Sequence, residues 1–290
     1  MRLTLRQLDV MVAVARTGST TEAGRDLSMS QSAVSAALGE LESQLGTKVF
    51  DRVGKRVVLN DSGRLLLPSA RAVLDQLREI EHLFDDGASA LRVGASTTVG
   101  SYMMPALLGA FQRRWPLAQL ELEVENTREV VEAVATYRVD VGFIEGSCHH
   151  PELEVRPWLE DELCVVAAPG HPLARQPTSV GALAAARWIL REPGSGTRET
   201  VDSLLLPHLG AFGSTMHLGN SEGIKRAVAE GMGLSCLSLR VVQDWLDSGR
   251  LLRVDSALPR LRRMLFRILP RRKVLSPGLQ RFLDHCEQWR

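Results

Sequence analysis

The sequence has little of what marks secreted or membrane proteins. Its four cysteines (Cys148, Cys164, Cys236 and Cys286) are too few and too scattered for a disulfide framework or for paired metal-ligand motifs. No stretch approaches the roughly 18 apolar residues that a membrane-spanning helix needs. The N-terminus lacks the apolar run and the cleavage site of a secretory signal. We therefore expect reduced, buried thiols and a cytoplasmic protein.

The sequence also lacks an excess of charge of either sign. Its 35 Lys and Arg residues nearly balance 34 Asp and Glu residues, for a net charge of +1. No global field therefore draws the chain to nucleic acid or membranes, and any anion binding must be local. A hydrophobic fraction of 44% excludes a disordered or collagen-like chain, and 290 residues favour more than one domain.

The first 60 residues have the pattern of three short helices followed by a hairpin. Thr4 with Gln7, and Ser19 with Glu22, have the spacing of capping boxes, and Ser30 is placed to cap a third helix. This order predicts a winged helix-turn-helix. The apolar residues of the third helix face inward, which leaves a polar edge that can reach base edges and phosphates in the major groove: Ser30, Gln31, Ser32 and Ser35.

The predicted hairpin has a basic tip. Arg52, Lys55 and Arg56 are placed to hold backbone phosphates of DNA. Residues 1–60 carry eight basic and six acidic side chains, a net charge of +2, which is low for a DNA-binding module. A dimer that presents two hairpins would double this footprint. The alternative is a solvated helix face beside an ordinary surface hairpin.

Residues 62–87 have the pattern of one long helix, with Ser62 as its candidate N-cap. Its apolar residues alternate in steps of four and three, which is the spacing of a heptad seam and favours pairing with a second chain. The alternative is that the stripe packs on the remainder of the same chain. The residues of the predicted seam are Leu66, Ala70, Val73, Leu77, Ile80 and Phe84.

Residues 89–290 alternate apolar strands with amphipathic helices, and the pattern occurs twice. A helix is predicted from residue 96 to about Trp115, the pattern restarts after Cys164, and a helix over 276–289 closes the chain. These features predict two α/β lobes, the first formed by about 89–164 and 266–290 and the second by about 165–265. The overall fold class is multidomain α+β: DNA-binding domain (1–60), linker helix (61–88) and a two-lobed α/β domain (89–290).

Polar residues follow the predicted strands at the starts of helices in both lobes. Such positions offer hydroxyl groups, free backbone N–H groups and the positive ends of helix dipoles, which favour a small anion or carboxylate. The alternative is that these residues only cap helices. The predicted ligand-binding residues are Ser96, Thr97, Thr98, Glu145, Ser195, Thr197, Asn220, Ser221 and Glu222.

The run GSTTEAGRDLSMSQSAVSAALGELESQLGTKVFDR, with LNDSGRLLLPSARAVLDQLREIE after it, resembles the DNA-binding domain and linker helix of LysR-type transcriptional regulators. The resemblance extends over essentially the whole chain. It implies DNA contacts by Gln31, Ser32 and Ser35, a homodimer or dimer of dimers, and a periplasmic-binding-protein-like effector domain with a small molecule between its lobes. Ala36 and Gly39 stand where the family often has basic residues, which predicts weaker phosphate contacts by this helix.

Two other function classes compete with a regulator. Gly219 to Gly223 match the G-x-S-x-G pattern of esterases, with Ser221 as nucleophile and Asp255 and His285 in the required order. Against an esterase, His285 lies within a predicted helix, and a hydrolase has no use for the first 87 residues. A free solute-binding protein is disfavoured by the missing signal segment and by the heptad helix.

Two further clusters have simpler interpretations. Cys148, His149 and His150 could bind a soft metal, but no further ligand spacing supports this, so we expect a surface loop and no metal or cofactor. A basic cluster near the C-terminus is interpreted as a solvated face that could meet the acidic linker helix, with phosphate binding as the alternative. Its residues are Arg260, Arg262, Arg263, Arg267, Arg271, Arg272 and Lys273.

Overall fold

The computed structural model describes residues 3–54, 56–81 and 89–289. The N-terminal domain contains α1 (Leu5–Thr17), α2 (Thr20–Asp26), α3 (Gln31–Leu45), β1 (Phe50–Val53) and β2 (Arg56–Leu59). The predicted helix starts are confirmed, because the side chains of Thr4, Ser19 and Ser30 each accept a backbone N–H of the following turn. Only α1 has the reciprocal bond of a full capping box among these three helices.

The N-terminal domain is held by one apolar core. Val10 and Val14 of α1 pack with Val34 and Leu41 of α3, and all four side chains are fully buried. The backbone N–H of Val57 in β2 donates to the carbonyl of Gly18, the C-cap of α1, which fixes the hairpin against this core. Burial of the apolar face of α3 leaves its polar face at the surface.

Helix α4 (Asp61–Glu81) begins one residue earlier than predicted. The Asn60 Oδ1 accepts the backbone N–H of Gly63 at 2.9 Å, so Asn60 and not Ser62 caps the helix. The described part ends at Glu81, so the predicted seam residue Phe84 lies outside the described residues.

The apolar residues of α4 lie on two adjacent faces. Leu67, Ala70 and Leu74 are buried in the core of the N-terminal domain, whereas Val73 and Ile80 are 40% and 59% exposed. The predicted seam is therefore wrong at Ala70, which packs within its own chain. Residues spaced by three and by four form neighbouring rows on a helix. A seam predicted from this spacing can therefore include a residue of the buried row.

The effector domain contains a seven-stranded mixed sheet and a two-stranded parallel sheet, with helices packed on them. Its strands are β3 (Ser89–Ser96), β4 (Ala118–Glu125), β5 (Val141–Glu145), β6 (Leu153–Ala167), β7 (Arg187–Arg191), β8 (Ser214–Leu218), β9 (Ser235–Ser238), β10 (Leu252–Arg253) and β11 (Leu261–Pro270). Its α-helices are α5 (Thr97–Tyr102), α6 (Met104–Arg114), α7 (Thr127–Ala135), α8 (Val180–Ala185), α9 (Gly196–Leu209), α10 (Ser221–Ala229), α11 (Leu239–Asp247) and α12 (Pro277–Gln288), and a 3-10 turn spans Pro172–Ala174.

Two long strands connect the lobes. The main sheet has the order β10-β6-β11-β5-β3-β4, with β9 also paired to β6. Strands β6 and β11 are antiparallel over ten residue pairs, from Leu261 opposite Leu163 to Pro270 opposite Leu153. The apolar pattern of the sequence predicts strands only over 164–167, the end of β6, and over about 265–269 within β11. The first half of β6 is partly exposed and rich in charged residues, which weakens its apolar signal.

The first lobe differs from the prediction at one helix. Instead of a single helix from residue 96 to about Trp115, α5 ends before Met103 and α6 begins at Met104. Pro105 explains the break, since proline has no N–H to donate and is tolerated only in the first turn of a helix. Helix α12 packs on this lobe, where its Phe282 meets Phe111 of α6 edge to face at 5.2 Å.

Candidate DNA-binding surface and effector cleft

The polar edge of α3 lies at the surface of the N-terminal domain. Ser30, Gln31 and Ser32 are exposed and Ser35 is half-buried. The Gln31 Nε2 donates to the Ser35 Oγ at 2.9 Å and to the Thr20 Oγ1 at 3.3 Å, which links α3 to α2. The edge is therefore a pre-ordered row of short hydrogen-bonding groups, turned outward as the sequence predicts.

The basic hairpin tip is described at two of its three predicted positions. Arg52 and Arg56 are exposed on β1 and β2, whereas Lys55 lies outside the described residues. Asp51 is exposed on the same hairpin, so the positive charge of this surface is modest. This agrees with the low net charge of the domain.

The cleft between the lobes is closed around Glu145, the last residue of β5. One carboxylate oxygen accepts the backbone N–H of Thr98 at 2.8 Å and the hydroxyl of Ser96 at 3.0 Å, both from the first lobe. The other oxygen accepts the hydroxyl of Thr197, from the second lobe. Four predicted residues thus meet at one point. There the Glu145 carboxylate accepts hydrogen bonds from the donor groups that were expected to bind a free anion.

A buried arginine balances the charge of Glu145. The Arg263 Nη1 lies 3.3 Å from the Glu145 Oε2 and its Nε lies 2.7 Å from Asp161, with all three side chains buried. Burial disfavours a charged carboxylate, but Arg263, Thr197 and Thr98 outweigh burial and hold the pKa of Glu145 below its ordinary value. Glu145 is therefore ionised at neutral pH.

A second buried arginine connects the lobes at the other predicted hydroxyls. The Arg191 Nη2 donates to the Thr97 Oγ1 of the first lobe at 3.2 Å, and its Nη1 donates to the Ser221 Oγ of the second lobe at 3.3 Å. Its side chain is 2% exposed and pairs with the 26% exposed side chain of Glu192 at 2.7 Å. Arg191 thus has a partly exposed, displaceable counterion, whereas the two carboxylates beside Arg263 are sequestered.

Three predicted ligand residues have other partners. Ser195 and Asn220 cap α9 and α10 by accepting backbone N–H groups. Glu222 accepts the hydroxyl of Tyr102 across the lobes at 3.1 Å and pairs with Lys225 at 3.0 Å. For Ser195 and Asn220 the described geometry matches the helix-cap alternative, whereas the ion pair of Glu222 was not predicted.

Four residues that complete the cleft were not predicted as ligand residues from the sequence. Arg191 and Arg263 were not among the predicted ligand residues, and Asp161 and Thr127 were not singled out. Arg191 directly follows the apolar run 188–190 and directly precedes the glycine-containing run 192–197, which holds two predicted ligand residues, and that position was the available signal. Arg263 was placed in a solvated basic face, which is wrong for Arg263, Arg267 and Lys273. The first two are buried, the Lys273 side chain is only 8% exposed, and all three pair with carboxylates.

The predicted meeting of the basic cluster with the linker helix is confirmed at Lys273. Its Nζ lies 2.9 Å from Asp140 of the effector domain and 3.6 Å from Asp75 of α4. Arg71 of α4 is buried nearby, and burial together with the charge of Arg92 lowers the pKa of Arg71 to about 10. The linker helix thus contacts the first lobe through charged groups.

The esterase alternative is not supported by the geometry. Among the described hydrogen bonds, none joins any two of Ser221, Asp255 and His285: Ser221 accepts from Arg191, and the ring of His285 packs 5.5 Å from that of Phe111. A nucleophile and its base need direct hydrogen-bond contact.

Cys148 is half-buried, and the described residues contain no group of three potential metal ligands.

Family profiles match both halves of the chain. The profile described as a bacterial regulatory helix-turn-helix protein of the lysR family matches residues 5–64, and the LysR substrate binding domain matches residues 85–290. The chain belongs to the LysR family. It is 55% identical over 287 residues to the HTH-type transcriptional regulator YeiE of Escherichia coli K12, covering 99% of this chain and 98% of that protein.

Solved structures agree with this LysR-family assignment. A full-length OxyR variant from Pseudomonas aeruginosa has a TM-score of 0.76 at 23% identity, covering 99% of this chain and 95% of that one, and shares the fold. The regulatory domain of CcmR from Synechocystis, a complex with 2-PG, has a TM-score of 0.63 at 30% identity, covering 69% of this chain and 96% of that one. This LysR-type transcriptional regulator therefore combines a helix-turn-helix with a two-lobed effector domain.

The two profiles divide this LysR-family chain along its structure. The helix-turn-helix profile covers α1 through the first residues of α4, and the substrate-binding profile covers β3 through α12. Within the described residues, no helix has both the length and the apolar character required to cross a membrane.

Proposed function

We propose that this LysR-family regulator binds operator DNA as a symmetric dimer in the cytoplasm. The N-terminal edge of α3, formed by Ser30, Gln31, Ser32 and Ser35, reads the major groove, and Arg52, Lys55 and Arg56 of the hairpin hold phosphates. The exposed row of α4, which includes Val73 and Ile80, joins the two chains. The working division is a DNA-binding domain (1–60), a linker helix (61–88) and an effector domain (89–290).

The effector in this proposal is a small anion, such as a carboxylate or another oxyanion. The observation that carries this is the buried guanidinium of Arg191, which contacts hydroxyls of both lobes and has a partly exposed counterion, because a guanidinium group flanked by hydroxyls suits an oxyanion. Glu145, Ser96, Thr98 and Thr197 form the closed wall of the site rather than its vacant part.

Arg191 is the proposed direct contact of the anion. Its counterion Glu192 is the adjacent residue and partly exposed, so an incoming anion can replace it while Glu192 turns to solvent. The hydroxyls of Thr97 and Ser221 already contact the same guanidinium from opposite lobes. An anion seated there would contact both lobes and favour one arrangement of them.

The regulator in this proposal acts by binding and not by catalysis. The effector changes activity only through its differential affinity for two arrangements of the lobes. The contact of Lys273 with Asp75 gives the effector domain a route to the linker helix, and hence to the spacing of the paired DNA-binding domains.

A thermal-shift screen of the full chain tests the proposed effector class. Sodium salts of acetate, phosphate, sulfate and short dicarboxylates are compared at constant ionic strength on the wild type, on Arg191→Lys and on Arg253→Gln, a control whose partly exposed ion pair lies outside the cleft. An anion at 100 times its dissociation constant adds about 2.7 kcal/mol of stability. The shift should persist in Arg253→Gln and disappear in Arg191→Lys. Equal shifts in all three proteins would exclude Arg191 as the contact.

A further inference from the structure

The two lobes approach each other closely beside the Glu145 carboxylate. The Thr127 hydroxyl, at the start of α7 in the first lobe, donates to the backbone carbonyl of Glu145 at 3.1 Å. The oxygen of this hydroxyl also accepts the backbone N–H of Gly196, at the start of α9 in the second lobe, at 3.1 Å. One side chain thus joins β5, α7 and α9 across the cleft.

Gly196 has no room for a side chain in this arrangement. A Cβ atom there would lie 2.0 Å from the carbonyl oxygen of Glu145 and 2.5 Å from the Thr127 Oγ1, and contacts under 3.0 Å are essentially never seen for real Cβ atoms. Both obstructing groups belong to the first lobe, and one of them is backbone at the end of a buried strand. The Glu145 carbonyl, which makes the closest contact, cannot move aside like the end of a flexible side chain.

The backbone of Gly196 itself does not require glycine. Its φ lies outside the left-handed region, and the residue opens an α-helix, where alanine is the more favourable residue by up to about 1 kcal/mol. The need for glycine at this position therefore comes from the opposite lobe and not from local conformation.

We propose that Gly196 is a positioning residue of the effector cleft, which sets how closely the two lobes can approach. Its missing side chain allows the next residue, Thr197, to reach both Glu145 and Arg263, the latter at 2.9 Å. With alanine at 196, the new Cβ would lie 2.0 Å from the Glu145 carbonyl oxygen. This distance must increase to at least 3.0 Å, which draws Thr197 away from its partners. The proposal rests on the proposed function only in taking this cleft as the effector site.

The test compares Gly196→Ala with Gly181→Ala in the full-length protein. Gly181 lies in the first turn of α8 in the same lobe, has no atom within 4 Å of its added Cβ, and has a φ that alanine adopts. Spin labels on Glu132→Cys in α7 and His208→Cys in α9, in a Cys148→Ser background, report the distance between the lobes by double electron–electron resonance. Hydrogen exchange of peptides covering 193–200 reports the bond from the Gly196 N–H.

The expected result is a longer interlobe distance in Gly196→Ala and about tenfold faster exchange of the 193–200 amides, with Gly181→Ala matching its parent in both. Thr127→Val, which removes the bridging hydroxyl but adds no obstacle, should exchange faster and keep the short distance. Because separation of the lobes would relieve the clash between residue 196 and Glu145, Gly196→Ala should fold with wild-type circular dichroism.

Two outcomes would overturn the proposal. An unchanged distance distribution in Gly196→Ala would show that the lobes do not depend on this glycine. Failure of that variant to fold, while Gly181→Ala folds, would place the clash within the folded unit and not between separable lobes. Neither measurement requires an effector, so an absence of anion binding would reject the proposed effector class and leave this comparison intact.

Discussion

Arg263 and Glu145 form an ion pair across the effector domain, with 3.3 Å between the Nη1 and Oε2 atoms and side-chain exposures of 3% and 1%. The residues are 118 positions apart in sequence and lie on the neighbouring strands β11 and β5. Asp161 of β6 completes the group by accepting from the Arg263 Nε at 2.7 Å. These ion pairs connect β5, β6 and β11 in the interior of the domain, where an unpaired ion would be severely disfavoured.

Replacing Glu145 by Gln should destabilise the effector domain. Asp161 still pairs with Arg263, but the carboxylate oxygen that accepts from Thr197 becomes an amide NH2 that cannot accept, and a buried hydrogen bond lost in this way costs about 1–3 kcal/mol. Equilibrium urea unfolding, followed by tryptophan fluorescence, measures the loss. Glu162→Gln, which breaks the partly exposed pair with Arg253, should cost less than about 1 kcal/mol. Similar losses in both variants would contradict the special role of Glu145.

Replacing Gln31 or Ser35 by Ala should weaken sequence-specific DNA binding by roughly 1 to 3 kcal/mol. The two side chains hydrogen-bond each other at 2.9 Å on the outward edge of α3, so each substitution removes a base-reading group and loosens the other. Binding is measured by fluorescence anisotropy on a site selected in vitro with the full-length protein. Ser43→Ala, at the exposed far end of α3, is the matched control. Unchanged affinity in Gln31→Ala and Ser35→Ala would remove this edge from the interface.

Replacing Ile80 by Glu should reduce the oligomeric state. Ile80 is 59% exposed on the free face of α4, and a charge placed in an apolar helix pair must be desolvated without a partner. Sedimentation velocity across a concentration series measures the change. Leu65→Glu lies on the same helix but about a quarter-turn from this row, and it should leave the sedimentation coefficient unchanged. Dissociation by both variants, or by neither, would exclude this row as the pairing surface.

Asp140 should make stability depend on acid pH. Burial alone would raise the pKa of its carboxyl, but Lys273 and Arg92 outweigh burial and lower it to about 2, below the ordinary value of 3.8. The folded state therefore binds this proton less readily than the unfolded state, so the stabilisation is complete above pH 3.8 and is lost as the pH falls from there towards 2.

Asp140→Asn should accordingly cost about 2 kcal/mol at neutral pH, and its difference from the wild type should shrink below about pH 4. Thermal melts between about pH 3 and 7 measure this difference. Asp284→Asn is the control, because Asp284 is exposed and contacts only the neighbouring Gln280 among the described hydrogen bonds. A constant difference across this range would contradict the assigned pKa.

The sequence alone determined the local structure of the N-terminal domain. The caps at Thr4, Ser19 and Ser30 lie within three residues of the N–H groups they satisfy, so their signals are complete in a short window. The outward face of Gln31 and Ser32 follows from helical periodicity in the same way. The two-lobed α/β architecture was also readable, because most of its strands are short apolar runs between amphipathic helices.

Only the tertiary structure decided which charged groups form the cleft and which face of α4 remains free. Arg263 is one of several arginines in a basic stretch, and nothing within its own window distinguishes it from Arg262, whose side chain stays exposed. The difference arises because successive side chains of β11 point to opposite faces, and one face meets Glu145 and Asp161 from distant strands. Local patterns record propensity and amphipathicity, whereas the burial and pairing of a charge depend on residues that the chain brings together only on folding.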